Sequence, residues 1–170
     1  ALTARAFMQQ WCGLPVDVYW PFLLDDSALT LSDKALVIGI SQGGGSLSTL
    51  AAMERARAAG HLTASMAGEA PAVIDRAADL VLTVPCGEER AGAKTKGYHC
   101  TILNLMLLTL AVASRQRRLI DDYIARHPEI EVVAEKIDDG YSGVLFDRPA
   151  FQEMMRMIEQ GEANCVIVKD

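Results

Sequence analysis

Apolar and polar positions change rhythm several times along the chain. Over residues 1–12, Leu2, Ala6, Phe7 and Trp11 recur at helical spacing, and Gly13 with Pro15 marks the stop. "VDVYW" (16–20) alternates and predicts a strand, whereas "DDSALTLSDK" (25–34) reads as a polar loop with at most one short turn. "ALVIGI" (35–40) is a continuous apolar run, the pattern of a strand covered on both faces. Ser46–Ala59 is Ala- and Leu-rich and predicts a helix; "HLTASMA" (61–67) and "DLVLTVP" (79–85) predict further buried strands, with a short helix near Pro71 between them. From Ala93 a long helix runs to about Arg126, and its apolar part, Thr101–Ala113, reads as buried. After His127-Pro128 the pattern restarts: "IEVVAEKI" predicts a strand, "DDGYSGVLFDRP" a loop, "AFQEMMRMIEQG" a helix and "NCVIVKD" a final strand.

Strands that are apolar throughout and alternate with helices imply an α/β fold: three layers built on a parallel, doubly wound sheet. Ligands in such sheets bind at the carboxyl ends of strands, where loops lead into helix N-termini. Two Gly-rich segments, 41–46 and 87–97, fall at such places.

Composition narrows the function classes. The 170 residues are 51% hydrophobic and 22% charged, ordinary for a globular chain, and suffice for one domain or two small units. No apolar run reaches membrane-spanning length, so no membrane partner is expected, and no signal-peptide pattern is visible. The first residue is Ala1 rather than Met, which suggests a start after processing or within a larger protein. Net charge is -6, with 8 basic and 10 acidic residues in 1–113 and 8 and 12 in 114–170, so neither part offers a basic platform for nucleic acid. Cys12, Cys86, Cys100 and Cys165 are scattered, as are the three histidines. No metal site is expected, and reduced thiols in a cytoplasmic protein are the simpler reading.

The segment "SQGGGS" carries the first candidate chemistry. Ser41, Gln42, Gly43, Gly44, Gly45 and Ser46 lie between a strand and a helix, where unpaired backbone N–H groups and the positive helix end suit an anion. Glycine lets the backbone approach the anion closely, and Ser41, Gln42, Ser46 and Thr49 bring side-chain donors. The same residues also suit a tight turn with Ser46 as an ordinary N-cap. The loop is neither G-x-G-x-x-G nor a Walker A sequence, so no nucleotide cofactor is implied.

"VIGISQGGGSLSTLAAMERARAAG", followed by "AADLVLTVPCGEERAGAKTKGY" and an apolar helix, resembles the sugar isomerase (SIS) domain over about residues 1–115. The resemblance implies a phosphorylated sugar as ligand, a homo-oligomer, no cofactor, and a sugar-phosphate isomerase or deglycase-type protein. The family loop is usually Ser-Gln-Ser-Gly-Glu-Thr; Ser41, Gln42 and Gly44 match it and Ser46 is a conservative hydroxyl replacement, while Gly43 replaces a phosphate-contacting serine and Gly45 a glutamate. The family's second sugar loop, Glu-x-x-x-Ala-x-Thr-Lys, corresponds to Glu89 through Lys96. It implies Glu89, Lys94, Thr95 and Lys96 as sugar-loop residues and Glu89 as the candidate proton-moving group; a solvated charged loop is the alternative. By the same resemblance a central first strand should precede Ala1.

A second resemblance covers about residues 116–170. "DDGYSGVLFDRPAFQEMM" and "VIVKD" resemble the catalytic domain of serine recombinases of the resolvase/invertase type, with Asp139-Gly140-Tyr141-Ser142-Gly143 and Asp147-Arg148-Pro149 matching. Arg148 corresponds to an arginine used at the phosphodiester. The family's nucleophile motif, Tyr-x-Arg-x-Ser, is missing, so recombination is not expected, and DNA is a partner only if this fragment is functional. The two resemblances meet near Ser114–Leu119, within one long predicted helix. The chain therefore reads as a phosphosugar-binding domain joined to a partial recombinase domain, with a truncated recombinase or a non-catalytic chimera as alternatives. Strand 164–168 is a candidate to fill the vacant place in the first sheet.

Overall fold

A computed structural model describes residues 1–30, 34–87, 95–136 and 149–167. Their contacts divide the chain into two compact units: one formed by Ala1 and Asp17–Leu105, the other by Leu2–Val16 and the described residues from Met106 onward.

The first unit is built on a parallel sheet of three strands, β1 (Leu36–Ile40), β2 (Leu62–Ala67) and β3 (Leu80–Thr83), in the order β1-β2-β3. Leu36 pairs with Leu62 and Ile40 with Met66; Ala64 pairs with Leu80 and Ala67 with Thr83. The architecture is α/β, as the alternating pattern predicts. Central β2 is buried from Thr63 to Ala67, and its two hydroxyls are satisfied. Thr63 Oγ1 lies 2.7 Å from the Ala77 carbonyl and 2.8 Å from Asp79 Oδ2, and Ser65 Oγ donates to Asp75 Oδ1 at 2.6 Å. Hydroxyls can sit inside a strand only because such partners replace water.

Helix α3 (Leu47–Ala58) packs on this sheet, and Met53, Ala67, Ile74 and Ala77 form the core with Leu50 against them. A 3₁₀ helix, Val73–Ala77, stands where a short helix near Pro71 is predicted. Gly39 lets α3 approach β1: a Cβ there would fall 2.7 Å from Met53 Cγ and closer still to Sδ. Within the predicted polar loop, residues 26–30 form the short turn the pattern allows, a helix α2 (Asp26–Thr30), and the Asp25 carboxylate accepts from Ala28 N–H at 2.8 Å at its start. "VDVYW" joins no sheet; it leads, with Trp20 in an extended conformation, into a 3₁₀ turn, Pro21–Leu23.

Among the described residues of the second unit the regular elements are helices. Helix α1 (Leu2–Cys12) buries Ala4 and Cys12 and exposes Leu2 and Trp11, so its covered stripe is not the one the large residues suggest. Helix α4 (Thr95–Ala125) runs through the Ser114–Leu119 junction without a break. It buries Thr101, Leu105 and Thr109 while Leu103, Leu107 and Leu110 are exposed, so the expected buried segment is covered on one face only. Taken whole, α4 is also long and apolar enough to cross a membrane by length and composition, contrary to the expectation from shorter runs. Its first turns are nevertheless committed to the sheet, Asn104 Nδ2 donating to the Thr83 carbonyl at 3.2 Å.

In their described residues, two further predicted strands are not strands. Residues 130–136 leave α4 through a turn in which Ile130 N–H donates to the His127 carbonyl, and Glu135 pairs with Arg117 on α4. Residues 164–167, after α5 (Pro149–Glu159), likewise form no strand, so the strand expected to complete the first sheet is not found in them. An apolar pattern becomes a strand only where a ladder partner is in reach.

Candidate functional site

The loop from β1 to α3 sits at the carboxyl end of the sheet. Ser41 N–H donates to the Met66 carbonyl of β2 at 3.0 Å, and Gly44 N–H turns back to the Ser41 carbonyl at 2.9 Å. Gly44 takes φ +68°, and a Cβ there would collide with the Ala72 Cβ while the Gly44 carbonyl accepts from Ile74 N–H at 3.0 Å. That glycine is required twice over, by conformation and by close approach. Gly43 and Gly45 differ: a Cβ at either would meet nothing within 4 Å, and neither has a positive φ. The fold needs one of the three glycines, and the other two face open space.

Ser46 caps α3. Its Oγ accepts from Thr49 N–H at 3.3 Å and from Thr49 Oγ1 at 2.9 Å, so the capping arrangement is the one present. Gln42 turns inward, with Nε2 3.7 Å from the buried Cys86 Sγ. Thr95 and Lys96 begin α4; a Cβ at Gly87 would stand 3.7 Å from Lys96 Nζ, which places that ammonium over the turn after β3. The loop after β1, the turn after β3 and the first turn of α4 are thus joined through Gln42. Glu89, Lys94 and Arg148 lie outside the described residues, as do Asp139–Asp147. Among the described residues no group of His, Cys, Asp or Glu is arranged to hold a metal ion.

Sequence reasoning did not single out Cys86, Gly68 or Gly97, which surround Gln42. The available signal was Gly97 itself, an isolated glycine inside a helical pattern.

A cavity of about 530 Å³ lies at the opposite, amino end of the strands, lined in part by Lys34, His61 and Asp79. Its buried imidazole is committed to the fold: Nδ1 accepts from Ala35 N–H at 3.2 Å, which leaves Nε2–H to donate to the Leu29 carbonyl at 2.6 Å. Asp79 accepts from Thr63 N–H at 2.9 Å and lies 3.3 Å from Arg57. Those Thr63 hydrogen bonds, with Arg57 adding to them, hold its carboxyl below the ordinary range. His61 and Asp79 are thus both hydrogen-bonded within the fold at this end.

The SIS domain family model matches residues 1–111, and the model described as Resolvase, N terminal domain matches residues 111–170. Over 155 residues, 90% of the chain, it is 29% identical to the glutamine–fructose-6-phosphate aminotransferase (isomerizing) of Staphylococcus aureus, of which it covers 24%. A solved structure from Salmonella typhimurium LT2, provisionally described as a sugar binding protein, is 74% identical with TM-score 0.61, over 69% of this chain and 34% of that one. A Clostridium difficile 630 structure, provisionally described as a phosphosugar isomerase, is 42% identical with TM-score 0.61, over 72% and 36%. The chain therefore spans about a quarter of the curated relative and about a third of the solved chains.

Proposed function

Because the chain belongs to the SIS domain family through residues 1–111, we propose that it binds a phosphorylated sugar at the β1–α3 loop. The observation that carries the reading is the open space at Gly43 and Gly45, on a loop held rigidly by Gly44 at the amino end of α3. An anion there meets backbone N–H groups and the positive end of the helix, with no side chain in the way. Ser41, Gln42, Gly43, Gly44 and Ser46 form the phosphate side of the proposed site. Thr95 and Lys96, with Glu89 and Lys94, form the sugar side, and Lys96 supplies a cation from the first turn of α4. The relatives support the ligand class: one is named for fructose 6-phosphate and another is described as a phosphosugar isomerase. The protein would act as part of a sugar-phosphate isomerase or deglycase-type enzyme, with Glu89 as the candidate proton carrier. A base in that role must reach the proton next to the sugar carbonyl.

We assign residues 1–115 to this domain and 116–170 to a recombinase-like unit, in keeping with the resolvase match. No recombination is proposed, since residues 111–170 contain no Tyr-x-Arg-x-Ser nucleophile motif.

Thermal unfolding with and without fructose 6-phosphate tests the reading. A ligand that binds only the folded chain raises its melting temperature with concentration. Gly43→Ser should leave the unliganded melting temperature unchanged and enlarge the ligand shift, because the hydroxyl enters open space beside the phosphate. No shift in either protein at millimolar sugar phosphate would refute the proposal.

A further inference from the structure

Glycine near the start of a helix costs stability relative to alanine, and Gly97 is the third residue of α4. A Cβ at Gly97 would collide with the Gln42 side chain at Cδ, Oε1 and Nε2. A Cβ at Gly68 would fall 2.9 Å from the same Nε2. The Gln42 carbonyl accepts from Gly68 N–H at 3.0 Å, and Nε2 contacts Cys86 Sγ. Two bare Cα atoms and one sulfur thus bound a slot that the Gln42 amide fills.

We infer that Gly97 is a positioning residue: by lacking a side chain it admits the Gln42 amide against the first turn of α4 and braces the Ser/Gly loop on that helix. Within the phosphate side of the proposed site, the Gln42 amide then serves as a strut that positions the loop. The functional part of this inference rests on the phosphosugar reading. A ligand touching both the loop and α4 meets two elements already fixed to one another, which lowers the ordering cost of binding.

A double-mutant cycle on the full chain tests the slot without any ligand. Gly97→Ala should lower the melting temperature by several degrees in the parent. In the Gln42→Ala background the same change should raise it, because alanine's helical advantage returns once the amide is gone. A rise in both backgrounds, or a fall in both, overturns the inference. The Gln42 side-chain NH₂ resonances, assigned by their loss in Gln42→Ala, should be dispersed in the parent and move to solvent-like positions in Gly97→Ala; dispersed resonances in both also overturn it. With fructose 6-phosphate as probe, Gly97→Ala should weaken apparent affinity roughly threefold or more. Unchanged affinity overturns the coupling to the site. A parent that shows no ligand shift refutes the phosphosugar reading instead, and the cycle still decides the slot.

Discussion

Residues 35–85 and residues 130–167 present similar sequence patterns and end up differently. Both contain apolar, β-branched runs bounded by polar turns. In the first region three runs became β1, β2 and β3, each in register with a neighbour, over a core in which Met53, Ala67, Ile74 and Ala77 are nearly inaccessible. In the second, neither described run joins a ladder, and α5 buries no residue. Val132, Val133 and Val166 stay exposed. Strand propensity describes a side chain that fits a pleated, half-covered surface. Where no such surface is offered, the same residues remain irregular.

The comparison breaks first on core truncation. Ile74→Ala or Met53→Ala should cost ~2–5 kcal/mol in urea denaturation, since each leaves a cavity among fixed neighbours. Val133→Ala and Val166→Ala should fall within about 0.5 kcal/mol of the parent. Equal losses in the two regions would mean that the second is as tightly packed as the first.

Glycines sharpen it at smaller scale. Gly39→Ala drives a methyl into Met53 and should cost ~1–3 kcal/mol. Gly45→Ala, in open space, should be neutral or stabilise by a few tenths of a kcal/mol or more through the unfolded chain. A large loss at Gly45 would remove the argument that its space is held open for something other than the fold.

The smallest effect is electrostatic. Asp79 is held below its ordinary range by Thr63, and Glu153 is lowered to about 2 by Arg156. A depressed carboxylate contributes stability above its unfolded pKa and loses it as pH falls through the folded value. Asp79→Asn should therefore be less stable than the parent at neutral pH, with the gap closing as pH falls below about 4. For Glu153→Gln the gap should be smaller, because its partner lies three residues away on an exposed helix, and should close between about 4.5 and 2. A gap at Asp79 that persists in acid would assign its role to shape and not to charge.

Much of the first region was legible in sequence because its signals are local. Apolar runs, Ser46 ahead of α3 and Gly-rich breaks at strand ends gave the α/β class and the place of the candidate site. The resemblance to the SIS domain added the ligand class. Less legible was which face of α1 is covered, since Ala4 and Cys12 are buried while Trp11 is not, and periodicity ranks residues by size and polarity without knowing what they face.

The sequence by itself determined the order of elements over residues 35–85, the helix that continues through the junction, and the glycine loop with its caps, because each is set by contacts within a few residues. Only the tertiary structure decided which apolar runs are strands, that Gly44 is the glycine the fold requires, and that Gln42 turns inward between Gly68, Gly97 and Cys86. Those outcomes depend on backbone atoms brought together from distant positions, and no local pattern records that meeting.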